Sequence, residues 1–103
     1  MPIRFQVNIT RTAERDLKEV WDHINRESPL EAAKFISRVE QQVTTLEQFP
    51  ERCPSVPENQ VLGTEYRHLL YGDYRTIFRI SKKTVYVLRI IHGSRLLDDS
   101  VFE

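Results

Sequence analysis

Four consecutive residues, Ser28-Pro29-Leu30-Glu31, constrain the fold of this 103-residue chain more than any other stretch. The serine hydroxyl can accept from an orphan backbone N–H, and proline at the first helical position lacks the N–H that would go unpaired there. The glutamate three residues after the serine completes a capping box. A helix therefore begins at Pro29. Ala32, Phe35, Ile36, Val39, Val43 and Leu46 follow at helical spacing, and the helix is expected to run to Phe49, where Pro50 stops it. Upstream, Ala13, Leu17, Val20, Trp21 and Ile24 form a second helical stripe, with Glu14, Lys18, Asp22 and Arg26 facing water. Thr10 or Thr12 is placed to cap its start. So few residues separate the two helices that they must fold back as a hairpin, with one apolar face for a sheet to cover.

The remaining segments read as strands. Residues 3–9 alternate, with Ile3, Phe5, Val7 and Ile9 on one face and Arg4, Gln6 and Asn8 on the other, as in a half-buried strand. Residues 50–64 hold three of the five prolines and one of the three glycines, so they are expected as a loop laid over the surface. Glu65–Tyr71 turns at Gly72-Asp73 into Tyr74–Ile80, which turns at Ser81-Lys82-Lys83 into Thr84–His92. The run Val85-Tyr86-Val87-Leu88-Arg89-Ile90-Ile91 is almost continuously apolar, which suits a central strand covered on both faces. The expected fold is α+β in the order β-α-α-β-β-β, a helical hairpin on a twisted, mainly antiparallel sheet, with the first strand beside the last.

At this length the chain is expected to be one domain, residues 1–103. The N-terminal MPIRFQVNIT has no apolar stretch of signal-peptide length, and no run reaches the roughly 18 apolar residues that span a bilayer. With a single cysteine, Cys53, no internal disulfide is possible. A cytoplasmic protein is expected. The 15 basic and 15 acidic residues cancel, but unevenly. Residues 66–95 carry Arg67, Arg75, Arg79, Lys82, Lys83, Arg89 and Arg95 against Asp73 alone, a local surplus of +6. Such a segment suggests a surface for an anionic partner, unless neighbouring carboxylates neutralise it.

Several strings resemble the RelE/ParE toxin superfamily, also called plasmid-stabilisation toxins. They are Thr10-Arg-Thr-Ala-Glu-Arg-Asp-Leu17, Val20-Trp21-Asp22-His23-Ile24, Ala33-Lys34-Phe35 and Leu46-Glu47-Gln48-Phe49-Pro50. More specific are Tyr66-Arg67-His68-Leu69, Gly72-Asp73-Tyr74-Arg75-Thr76-Ile77-Phe78-Arg79-Ile80 and Val87-Leu88-Arg89-Ile90-Ile91-His92-Gly93-Ser94-Arg95. The likeness covers nearly the whole chain. It implies a toxin neutralised by a cognate antitoxin, with either of two activities. RelE-like members cut messenger RNA on the ribosome without metal or cofactor, whereas ParE-like members bind DNA gyrase and block its cycle.

For RNA cleavage the resemblance offers Arg75 as a phosphate clamp, His92 as acid or base, and Arg95 near the end of the last strand. Two departures weigh against this. No lysine lies between Lys34 and Lys82, where RelE-like members carry lysines before the second strand. The aromatic near the end is Phe102, which has no hydroxyl. A sequence pI near 6.8 also fits a ribosome-directed protein poorly, and the two long helices are similar to the ParE branch. The gyrase-directed reading therefore leads, with the ribonuclease as alternative and an inactive, DNA-binding partner of the antitoxin as a third.

Each residue has a structural alternative. Arg75 can pair with a helix carboxylate such as Glu47, and His92 can satisfy a local carbonyl. Arg95 can be a solvated charge. Arg67 and Arg79 are candidates for binding target or antitoxin. Trp21 is expected in the core. Cys53 has no partner at ligand spacing, and His23 and His68 form no metal set, so neither metal nor cofactor is expected. Exposed apolar surface on the sheet and hairpin should drive association, as homodimer or with the antitoxin.

Overall fold

The computed structural model describes residues 4–97. Ile3 and the acidic tail with Asp98, Asp99, Phe102 and Glu103 lie outside the described residues. The element order is β1 (Gln6–Ile9), α1 (Arg11–Glu27), α2 (Pro29–Thr45), α3 (Asn59–Leu62), β2 (Arg67–Tyr71), β3 (Tyr74–Ser81) and β4 (Thr84–His92). The sheet order is β1-β4-β3-β2. β1 runs parallel to β4, and the other two pairings are antiparallel. The expected α+β order and the place of the first strand beside the last are both present.

Caps set the helical pair. Thr10 accepts from the Ala13 N–H at the start of α1, and its hydroxyl also donates to the carbonyl of Val87, which ties the helix to β4. Ser28 is at once the C-cap of α1 and the N-cap of α2, its hydroxyl accepting from Glu31 N–H at 3.2 Å. One shared residue leaves the two helices no choice but to pack together. Both then lay their apolar stripes on one face of the sheet. The main core joins Ala13, Phe35, Val39, Val43 and Leu46 to Phe78, Val85, Val87 and Ile90.

Two expectations about this half of the chain need correcting. α2 ends at Thr45 rather than Phe49. A residue before proline is disfavoured in the α region, and Phe49 takes a left-handed conformation at φ 50°. The carbonyls of Val43, Thr44 and Thr45 then close three-residue turns, and the Arg52 guanidinium caps Gln48 O and Phe49 O at 2.9 and 3.0 Å. Trp21 is half-buried and belongs to neither apolar cluster, unlike its stripe neighbours Leu17, Val20 and Ile24.

The segment 50–64 is not a plain loop. It contains a 3-10 turn (Pro50–Arg52) and the short α3, and it folds across the far face of the sheet. There Val56, Ile77, Ile91 and Leu97 form a second buried cluster, with Leu62 and Tyr66 packed against it. β4 is therefore covered on both sides near its end. A register shift at Ile77/Phe78 changes the phase of the strand, so that Val85 and Val87 face the helices and then Ile90 does. No helix among the described residues is long and apolar enough to cross a membrane.

Candidate functional site

The basic segment 66–95 suggests a surface for an anionic partner unless carboxylates neutralise it. The fold divides its arginines into structural and exposed groups. Arg89 is buried against Asp16 of α1, with Nε to Oδ2 at 2.6 Å and Nη2 to Oδ1 at 3.0 Å. The same Oδ2 accepts the Ile90 N–H at 3.0 Å. β1 stops pairing at Ile9–Val87, so the Asp16 carboxylate takes over where that strand ends and satisfies the next outward N–H of β4.

Arg75 is also internal, only 4% exposed. Its Nη1 donates to Glu58 Oε1 at 3.1 Å, and its Nη2 contacts Oε2 and donates to the carbonyl of Arg95 at 2.7 Å. Leu97 N–H donates to the same Oε2 at 3.0 Å. The partner carboxylate is thus Glu58, at the start of α3, and not Glu47, which lies 3.9 Å from Arg4. This cluster pins the chain leaving β4 onto the far face of the sheet, where Leu97 is buried. The hydrogen bonds from Arg75 hold the Glu58 carboxyl down to about 2, against the opposing push of burial. His68, the partner of Ile77 on β2, is held below the usual imidazole range by burial and by the Arg75 charge.

The three candidate catalytic residues do not converge. Tyr74 packs edge-on against Phe35 in the helix-side core, with ring centroids 5.2 Å apart. His92, paired with Tyr74, stacks edge-on against it at 5.4 Å. Arg75 follows Tyr74 and so points to the opposite face. His92 is exposed, and its Nδ1 accepts from Ser94 N–H at 3.1 Å. The Arg95 side chain is exposed, and only its carbonyl meets Arg75.

Of the two candidate binding arginines, Arg67 is half-buried and donates to the carbonyls of Cys53 and Glu51, tying the 50–64 segment to β2. Arg79 is exposed, with its guanidinium 4.3 Å over the Tyr86 ring. Burial raises the Cys53 thiol above its ordinary range. Among the described residues, no cluster of three or more His, Cys, Asp or Glu has metal-binding geometry.

An apolar groove of about 280 Å³ opens between the helical pair and the β1 side of the sheet, lined by Ile9, Leu17, Val39, Val43, Val87 and Ile90. Ile9 is 42% exposed in it. Glu58 and Asp16 are two buried partners that no motif in the sequence singles out. Asp16 left a signal, since a carboxylate beside Leu17 in the stripe Ala13–Leu17–Val20 needs a buried cation. Arg89, the lone charge in the run 85–91, is that cation.

The family described as the ParE toxin of the type II toxin–antitoxin system parDE matches residues 7–97. Among solved structures, a chain of the chromosomal ParDE system of P. aeruginosa is similar at 26% identity and a TM-score of 0.68, covering 86% of this chain and 96% of that one. A chain of the RelBE2 toxin–antitoxin complex of Mycobacterium tuberculosis is similar at 26% identity and a TM-score of 0.58, covering 87% and 99%. No curated protein matches the sequence.

Proposed function

Because the chain belongs to the ParE toxin family of type II toxin–antitoxin systems, we propose that it arrests growth by binding DNA gyrase and blocking its cycle, and that a cognate antitoxin silences it. One observation carries the gyrase reading over ribosome-dependent RNA cleavage. The arginine that would clamp a scissile phosphate is buried in a two-pronged pair with Glu58, on the sheet face opposite His92. Cleavage of RNA needs a proton acceptor and a cation gathered at one phosphate. An inhibitor that works by occupying a protein surface needs neither. The higher TM-score to the ParDE chain than to the RelBE2 chain points the same way.

The antitoxin is the natural occupant of the apolar groove beside Ile9, which would otherwise stay in water. Loss of a labile antitoxin would then free the toxin, the logic of plasmid stabilisation. Expression without antitoxin should produce DNA breaks and an SOS response while messenger RNA stays intact. Codon-spaced cuts in ribosome-bound transcripts would replace this reading with the ribonuclease. Absence of toxicity would leave an inactive member that serves only in a DNA-binding complex.

A further inference from the structure

A cleft of about 460 Å³ lies between the α1–α2 junction and the tip of the β2–β3 hairpin. It shares no lining residue with the apolar groove beside Ile9. Local structure fixes its walls. Tyr71 and Tyr74 are the cross-strand pair that closes the hairpin, and Gly72 between them takes φ 55° to make the turn. The Asp73 carbonyl accepts the Gly93 N–H, which holds the turn against the end of β4. Across the cleft, Ser28 caps both helices, so the last turn of α1 and the first turns of α2 meet the hairpin tip.

The wall of the cleft is aromatic. Phe35, 4% exposed, lies 5.2 Å from the Tyr74 ring at 66° and 6.0 Å from the Tyr71 ring at 45°. Rings inclined in this way make a concave surface rather than a flat stack, and ring faces attract cations. The rim is acidic. Glu27 at the end of α1, Glu31 in the first turn of α2 and Asp73 on the hairpin turn all line the cleft, and all are exposed. Glu31 meets Lys34 at 3.6 Å, with both side chains more than half exposed, a solvated contact that holds it weakly. Among the described residues, no cation lies within 4.0 Å of Glu27 or Asp73. Glu27 also stands against local preference, because the last turn of a helix favours a cation over an anion. Its position is unfavourable for α1 alone and favourable for a cation in the cleft.

The spread of the acids decides what kind of cation fits. They come from three separate elements, and His23 adds an imidazole to the same rim. Among the described residues, no group of three or more His, Cys, Asp or Glu is arranged to hold a metal ion. A compact ion therefore cannot meet these carboxylates together. One lysine or arginine side chain brings a single charge to three acids. A chain with cations spaced along it matches them, and its methylene stretches suit the rings between.

We propose that this cleft binds a linear polyamine. Its methylene chain would lie on Phe35, Tyr71 and Tyr74, with its ammonium groups at Glu27, Glu31 and Asp73. The site is separate from the surface proposed for the antitoxin, and it stands whether the toxin acts on gyrase or the ribosome.

The test is an amide-resolved NMR titration of the full chain with spermidine, in parallel with magnesium chloride at equal ionic strength and with trilysine. Spermidine should shift the amides of Glu27, Glu31, Gly72, Asp73 and Tyr74, and should bind about fivefold or more tighter than magnesium. The double variant Glu27→Gln/Asp73→Asn keeps side-chain size and turn preference, and should weaken binding by about fivefold or more. Tyr71→Leu keeps an apolar contact but removes a ring face, and should weaken it independently by about threefold. Amides outside the cleft report that each variant is folded. An equal response to magnesium, shifts that fall elsewhere, no shifts at all, or binding unchanged in either variant would overturn the proposal. Tighter binding of trilysine to the same amides would overturn it in favour of a basic segment of a protein partner.

Discussion

Glu58 and Arg75, from the α3 start and the middle of the sheet, close a two-pronged ion pair that also fixes the backbone of Arg95 and Leu97. Both side chains are at least nine-tenths buried. Removing one partner leaves the other charged and dry, so Glu58→Ala should cost about 3–5 kcal/mol. The paired replacement Glu58→Gln with Arg75→Met should recover much of that, because the amide oxygen can still accept from Leu97. Urea unfolding of the two variants beside the wild type checks this. A single-variant loss below about 1 kcal/mol would mean the pair is solvated.

The same pair sets the acid limit of the fold. The Glu58 carboxyl is held down to about 2 when folded, below its unfolded value. Its contribution is therefore complete above the unfolded value and is lost as pH falls toward the folded one. The total is at most about 3 kcal/mol, removed between about pH 5 and pH 2. Stability curves of the wild type and Glu58→Gln should converge across that window. Parallel curves would show that other carboxylates govern acid unfolding.

His68 reports on the cluster from the neighbouring strand. Burial and Arg75 lower its imidazole, and Glu58 partly offsets them. Neutralising Glu58 removes that offset, so in Glu58→Gln the His68 titration should move further down. An unmoved titration by NMR would place His68 outside the reach of the Glu58 charge.

Asp16 of α1 carries a comparable burden against β4. Asp16→Ala leaves the Arg89 guanidinium and the Ile90 N–H without this acceptor, at an expected cost of about 3–5 kcal/mol. Hydrogen exchange at Ile90 should quicken in step. Unchanged exchange there would mean another group takes the N–H.

The elements were legible because their signals are local. The Ser28 capping box, the alternation before Thr10 and the turns at Gly72-Asp73 and Lys82-Lys83 each fix a boundary within a few residues. What escaped was long-range. Nothing near Pro57-Glu58 announces a partner 17 residues away, and the register shift at Ile77/Phe78 follows from pairing between strands. The basic run from Arg67 to Arg95 reads as one surface in sequence. Strand alternation puts Arg75 and Arg79 on the same face, and the segment 50–64 then covers Arg75 with Glu58 while Arg79 stays out over Tyr86. Arg89 pairs instead with Asp16 of α1. The family resemblance survives this division because it rests on the order of elements and their strings, not on the exposure of every arginine.

Gyrase-catalysed supercoiling of relaxed plasmid, measured with the purified chain and with the chain premixed with its antitoxin, addresses the central reading most directly. The account predicts loss of supercoiling, accumulation of cleaved plasmid, and full recovery when antitoxin is present. Undisturbed supercoiling at toxin concentrations that cleave messenger RNA on translating ribosomes would contradict it.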